Sequence, residues 1–524
     1  MLRPVALVAL LVAGVATPAV VPAATPTEPA IVATVPNPVA DGDAGESVVL
    51  AAPDGTDLGA YALDDGESRV RLPNRTVSGR VVLTAAPERV RNRTDRRVLD
   101  VALPALSNAG ERLRLLRGNR TVSTLRYGDA PEGERYRNGT WTPVGATDYP
   151  VVAGGAGEAR AFVLPDATGP PLAAIRNATE RVWLAGYTFT SARATRALAN
   201  ASERGADVRV LVEGGPVGGM SRTQARRLET LVAAGVAVRA VTGPHARYAY
   251  HHAKYAVADD RAVVLTENWK PSGTGGADSR GWGAVVSEPS VVAGLARTFE
   301  GDFAWRAAVP WDEYRAGRTF AADNATAGTY PTAFAPERVA FESARLLVAP
   351  DNAESAVLAR LRAANETLRV VQMSVGGPDQ AFVRETVAAA RRGVEVRLLL
   401  SGAWYVREDN GAVVERLNRV AEREGLDLEA RLAVPSGYGK IHAKGVVADD
   451  TVLLGSLNWN DNSARANREV VLALTGDAAD YYRRVFDADW RASGPGTTLP
   501  GGVVAVLAVA ALACLLAARR VEFE

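Results

Sequence analysis

At 524 residues, with 47% hydrophobic and 23% charged residues, the chain is ordinary globular material, long enough for about three domains with sizeable cores. A formal net charge of +1 gives no chain-wide electrostatic reason to expect nucleic acid and excludes an acidic, solvating composition, so any polyanion site must be local. The sole Cys is Cys514, inside an apolar tail, which excludes a disulfide or a thiolate metal site from the rest of the chain.

Residues 1 to 24 carry a single Arg3, an apolar run from Val5 to Val15 and small residues at Ala23 and Ala24. That order is expected of a secretory signal peptide, so the bulk of the chain is expected outside the cytoplasm. Sequons at Asn74, Asn92, Asn119, Asn138, Asn177, Asn200, Asn324 and Asn365 are compatible with a glycosylated exterior. Residues 31 to 146 alternate apolar and polar in short runs such as Ser47-Val48-Val49-Leu50 and Arg80-Val81-Val82-Leu83, broken by Gly, Pro and Asn. Such runs at regular spacing predict a small β-sandwich. The stretches Val35-Pro36-Asn37-Pro38, Gly45-Glu46, Leu106-Ser107-Asn108-Ala109-Gly110-Glu111 and Tyr127-Gly128 resemble a lamin-tail domain, an immunoglobulin-like sandwich, which implies a binding or positioning role.

Residues 158–308 and 341–492 form an internal repeat offset by 188 to 190 positions. Arg204-Gly205-Ala206-Asp207-Val208-Arg209-Val210-Leu211-Val212 matches Arg392-Gly393-Val394-Glu395-Val396-Arg397-Leu398-Leu399-Leu400, and His252 matches His442. Each half alternates continuous apolar strands with amphipathic helices, which predicts an α/β sheet covered by helices. Residues 309–340 read as a linker rich in Pro, Gly and Ala, and 493–500 as a short stalk. Leu499 to Ala518 is apolar and uncharged and is followed by Arg519-Arg520, the pattern of one transmembrane helix with a cytoplasmic basic tail. The sequence therefore points to a single-pass cell-membrane protein and gives no obligatory protein partner.

The pattern H-x-K-x4-D occurs twice, as His252, Lys254, Asp259 and as His442, Lys444, Asp449, each followed by an apolar run and an Asn-Trp pair. The chain has four His, and only four of its 60 basic residues are Lys, so two such pairs are not a compositional accident. Residues two apart in a strand share a face, which places an imidazole beside an ammonium in each half. Two His and two Lys around one anionic centre suit phosphoryl transfer without metal or other cofactor: one imidazole attacks phosphorus, the other protonates the leaving oxygen and then activates water. Lys254, Lys444, Asn268 and Asn458 are placed to hold the non-bridging oxygens. A duplicated pair packed face to face would form one site where the halves meet. His245 and His251 lack repeat partners and read as surface or loop histidines; adjacent His on a strand face oppositely, which argues against a metal site with His252.

Both halves resemble the phospholipase D superfamily, whose motif is H-x-K-x4-D followed by G-S-x-N. The second copy matches in full, with Gly455-Ser456-Leu457-Asn458. The first reads Leu265-Thr266-Glu267-Asn268; Thr266 keeps a hydroxyl, while the bulkier Leu265 and the acidic Glu267 bear on rate and substrate fit. The resemblance implies two α/β sandwich domains packed as a pseudo-dimer, preceded by the β-sandwich. It implies a phosphohistidine mechanism in which the first-motif His, here His252, is usually the nucleophile and His442 the general acid. Asp259, Asp449, Thr266 and Ser456 become supports, and Glu469 the acidic residue that orients a motif His, with none at the matching place near Trp282-Gly283. The implied substrate is a phosphodiester in either a phospholipid or a nucleic acid. The competing expectation is a cell-surface binding or adhesion protein built on a degenerate scaffold of this kind.

Overall fold

The computed structural model describes residues 27–39, 44–91, 93–274, 278–323 and 332–494. The expected signal peptide, the apolar segment 499–518 and the sequons at Asn92 and Asn324 lie outside them. Among the described residues no helix is long and apolar enough to cross a membrane.

The chain divides into two units, residues 1–141 and 142–524. The described residues of the first are all β apart from short helical turns. One sheet is built around Ala30–Val35, Ser47–Asp57 and Thr76–Thr84, and a second, four-stranded sheet around Tyr61–Asp64, Glu111–Arg117 and Arg120–Tyr127. Alternate residues of both sheets, among them Val48, Leu50, Leu63, Val81, Leu83, Leu113 and Leu115, form one apolar core. The period-two alternation is thus the inward face of a two-sheet sandwich.

The second unit holds the repeat. In its first half the sheet runs Ala308–Pro310, Ala237–Val241, Asp207–Glu213, Arg181–Gly186, Tyr255–Ala258, Arg261–Leu265, Ser279–Val286, Gly157–Leu164, Glu337–Phe341. In the second half it runs Val152–Gly154, Ala344–Ala349, Glu469–Thr475, Thr451–Gly455, Lys444–Ala448, Thr367–Gln372, Glu395–Leu400, Leu428–Leu432. Each sheet has three parallel strands at one side and antiparallel hairpins in the middle. Each also takes an edge strand from beyond its own repeat: Glu337–Phe341 joins the first sheet and Val152–Gly154 the second.

The strands are apolar on both faces because each face has a different neighbour. Trp183, Ala185, Tyr255 and Val257 of the first sheet share one core with Leu346, Val348, Leu472 and Leu474 of the second. The intervening residues Val182, Leu184, Ala256 and Ala258 face the outer helices of their own half, as Leu347, Leu368 and Val370 do in the other. The two sheets therefore face each other across one core that also takes in the helices Pro289–Phe303 and Asp477–Ala492, and the other helices cover the outer faces. Helix starts are marked by polar caps: Ser191 accepts the N–H of Ala194 and Ser221 that of Gln224. The repeated Arg-Gly pairs end helices at Gly205 and Gly393, whose φ values of +95° and +94° favour glycine.

Candidate active site

Both motif histidines lie just before a strand, Tyr255–Ala258 in one half and Lys444–Ala448 in the other, and each is stitched to the opposite half. The His252 N–H donates to the carbonyl of Arg468 at 3.0 Å, and the His442 N–H to that of Arg280 at 2.9 Å. Those two arginines are held by buried carboxylates. Arg468 pairs with Asp302 at 2.9 Å and Asp351 at 2.8 Å, and Tyr248 accepts a further N–H. Arg280 pairs with Asp489 at 2.9 Å and with Asp166. Asp302 belongs to the first half and Asp489 to the second, so each backbone carbonyl that fixes a motif histidine is anchored by an ion pair crossing the interface. Burial would raise the Asp302 carboxyl, but Arg468 and His251 together, through charge and hydrogen bonds, hold it far below its usual range.

His252, Lys254, Asn268, His442, Lys444 and Asn458 converge. His252 Nδ1 lies 2.8 and 2.9 Å from the two oxygens of Glu469, which reaches across from the other half. Glu469 is itself held by Ser463 Oγ at 2.9 Å and Asn467 Nδ2 at 3.2 Å. This fixes the proton of a neutral His252 on Nδ1 and leaves Nε2 with its lone pair. Burial, aided by the charges of Lys254 and Lys444, lowers the His252 pKa to about 4 against the pull of Glu469, so the ring is neutral at pH 7. His442 Nδ1 faces the Thr266 carbonyl at 3.1 Å, Lys444 Nζ at 3.1 Å and Glu267 Oε1 at 3.4 Å. Burial and then the charges of Lys444 and Lys254 push its pKa well below the ordinary value. Each Lys bonds the carbonyl of its own motif His, and burial draws Lys254 down to about 7. The amide oxygens of Asn268 and Asn458 are buried and take no protein donor.

The remaining lysines belong to the same place. Lys270 and Lys440 act on Glu267 together with Lys444, and Lys440 Nζ is 3.9 Å from Asp278. All four lysines of the chain therefore gather around one centre.

The supporting residues divide by what they touch. Asp259 and Asp449 sit at φ +53° and +51° and turn their carboxylates onto three consecutive N–H groups, of Thr179, Glu180 and Arg181 in one half and Asn365, Glu366 and Thr367 in the other. They pin the start of a central strand, away from the imidazoles. The hydroxyls of Thr266 and Ser456 accept N–H groups of Trp282 at 2.8 Å and Val470 at 3.1 Å, so both join neighbouring strands.

One expectation needs correction. His251 is no surface histidine: it is fully buried, with Nε2 3.2 Å from Asp302, because the loop before the motif is clamped under Arg468. His245 does lie in a loop, partly buried. Leu265, whose bulk was expected to bear on rate and substrate fit, has space made for it in the packing. It stands opposite Gly283, whereas its counterpart Gly455 stands opposite Val471. A Cβ on Gly283 would come within 2.9 Å of the Leu265 side chain, and one on Gly455 within 2.1 Å of the Val470 carbonyl. The bulk and the glycine have changed sides of a strand pair, a signal present in the sequence but readable only with the register.

Residues 172–303 and 357–490, just over half of the chain, match the family described as cardiolipin synthase, PLD-like domain. Over 150 residues, 28% of this chain and 65% of the other, the sequence is 29% identical to a mitochondrial cardiolipin hydrolase from Xenopus laevis. Among solved structures, phosphatidylserine synthase from Haemophilus influenzae is similar over 66% of this chain and 88% of its own, at 14% identity and a TM-score of 0.48. Nuc of Salmonella typhimurium, a phospholipase D family member, is similar over 29% of this chain and 95% of its own, at 16% identity and a TM-score of 0.26. With both repeats matched, the chain belongs to the phospholipase D-like family.

Proposed function

We propose that the chain is a phosphodiesterase with one active site shared by the two repeats, acting on phospholipids. The observation that carries the reading is the Glu469 carboxylate on His252 Nδ1, which supplies a neutral, oriented imidazole beside two lysines and a second imidazole. In the first step His252 Nε2 attacks phosphorus and the bond to the leaving oxygen breaks as that oxygen takes the proton of His442. Water then gives a proton back to His442 Nε2 and its oxygen displaces His252, releasing the phosphate product. Lys254, Lys444, Asn268 and Asn458 hold the non-bridging oxygens through both steps; preorganised donors of this kind favour the charge of the transition state.

Lipid is favoured over nucleic acid by the rim. Trp404, 89% exposed, and Tyr405 follow the strand Glu395–Leu400, and Val217, 78% exposed, follows Asp207–Glu213 at the matching place in the other half. The Val217 N–H bonds the Tyr187 hydroxyl, and the Tyr187 ring packs on His252 at 4.7 Å. Tyr405 packs over Lys440, two residues before His442. Exposed apolar side chains thus flank both histidines, as a site entered from a bilayer surface requires. In this reading the segment 499–518 tethers the enzyme to the outer face of a cell membrane, and the sandwich of residues 31–146, with its lamin-tail-like motifs, positions it.

The test is product release from vesicles of phosphatidylglycerol and cardiolipin, and from single- and double-stranded DNA, by the chain and its His442→Asn variant. Lipid cleavage lost in the variant is expected. Cleavage of DNA alone would move the assignment to a nuclease, and no turnover of either would favour the binding-protein alternative.

A further inference from the structure

The two motif histidines have unequal partners, and the register of one strand pair explains the inequality. The carbonyls that fix His442 and His252 make Arg280 the counterpart of Arg468, so Gly281 stands where the second half has Glu469. The carboxylate that orients His252 therefore has no counterpart on its own strand for His442. The loop strand differs at the same point: Glu267 stands where the second half has Leu457. A Cβ on Gly281 would lie 2.5 Å from Cγ of Glu267, so a side chain at 281 and this carboxylate claim the same space.

Glu267 is 2% exposed. Its Oε2 accepts the N–H of Asn268 at 3.1 Å, while Oε1 is buried, has no hydrogen-bond partner and lies 3.4 Å from His442 Nδ1. A buried carboxylate oxygen left without a donor is costly unless some step of the reaction supplies one. Burial raises the Glu267 pKa above the usual carboxylate range, and Lys444, Lys270 and Lys440 offset only part of that rise. The lysines offset the negative charge that this relocation brings into the site.

We propose that Glu267 is a positioning residue for His442, replacing from across the strand pair the carboxylate missing at Gly281. When His442 carries two protons, Nδ1–H faces Glu267 Oε1 and the Thr266 carbonyl, with Lys444 Nζ 3.1 Å away as the opposing charge, while Nε2–H points to the leaving oxygen. After Nε2 has given up its proton the ring is neutral and keeps the Nδ1 proton, ready to take the next one from water. Glu267 exchanges no proton in this cycle; it orients and stabilises the imidazolium. This assignment rests on the phosphodiesterase reading.

Three forms of the full chain test it: Glu267→Gln, Glu267→Ala, and Glu267→Ala with Gly281→Glu, which restores the arrangement of the second half. Thermal unfolding establishes that each is folded. Glu267→Gln should lose at least about tenfold in kcat with little change in KM, and the alkaline limb of its kcat profile should move to lower pH by about one unit, because the general acid loses its counter-charge. The double variant should recover at least about tenfold over Glu267→Ala. A readout independent of turnover is the ¹⁵N imidazole spectrum with inorganic tungstate bound, tractable with four His in the chain. His442 should hold its second proton to higher pH in the wild type than in Glu267→Gln. A wild-type alkaline limb and an unchanged His442 titration in Glu267→Gln would overturn the assignment, as would a folded double variant no better than Glu267→Ala. Neither tungstate binding nor phosphodiester turnover by the wild type would instead overturn the reading beneath it.

Discussion

In the second half of the repeat the loop strand ends Gly455-Ser456-Leu457-Asn458 and its neighbour starts Glu469-Val470-Val471; in the first half the same places hold Leu265-Thr266-Glu267-Asn268 and Gly281-Trp282-Gly283. Position by position the first half looks damaged. As a strand pair it is not, because bulk lost at 283 is regained at 265 and charge lost at 281 is regained at 267. Packing and electrostatics act on the space between two backbones, so a residue and its cross-strand neighbour can exchange roles with the volume and charge of the site preserved.

The largest effects should come from the residues the halves contribute alike. His252→Asn and His442→Asn should each lower kcat/KM by about a thousandfold or more with little change in thermal unfolding. A variant with undiminished turnover would end the shared-site account. The pH profile sharpens the same point. His252 must be neutral to attack, and burial, aided by Lys254 and Lys444, lowers its pKa to about 4, so the acid limb of kcat/KM should lie near pH 4, while the alkaline limb, set by the proton His442 must carry, should lie below the ordinary histidine value. The same depression removes stability as pH falls from about 6.5, the unfolded value, towards about 4, because the unfolded chain takes up the proton first.

Next in size should be the anchors that cross the interface. Asp302→Asn leaves Arg468 short of a buried counter-charge and His251 short of its carboxylate, so it should destabilise the fold by about 3–5 kcal/mol in denaturant titration. A loss below about 1 kcal/mol would show that the interface does not depend on this pair. Smallest should be the packing exchange. Gly283→Val, placed against Leu265 and Phe162, should cost about 1–3 kcal/mol, and adding Leu265→Gly should return part of it. Purely additive losses would mean that the two positions do not share one space.

The sequence made the repeat and its motifs plain because H-x-K-x4-D is local and its spacing survives in one dimension. The alternation of apolar strands and amphipathic helices likewise foretold two helix-covered sheets. What it hid depends on partners far along the chain. Glu267 and Gly281 are related only through the strand register, and His251 looked free because Asp302 lies 51 residues away. The concentration of all four lysines at one centre was half visible: two sit in the motifs, whereas Lys270 and Lys440 join them only when the loops fold over Glu267.

The central claim, that His252 attacks and His442 delivers the proton, is tested most directly by trapping the covalent adduct. A p-nitrophenyl phosphodiester has a leaving group that needs little protonation, so the His442→Asn variant should still form the intermediate and lose the residue that resolves it. After an alkaline quench, mass spectrometry of the peptide from Tyr248 to Lys254 should carry the phosphoryl adduct on His252. An adduct on His442 in the His252→Asn variant, with none on His252 in the reverse case, would contradict the assignment.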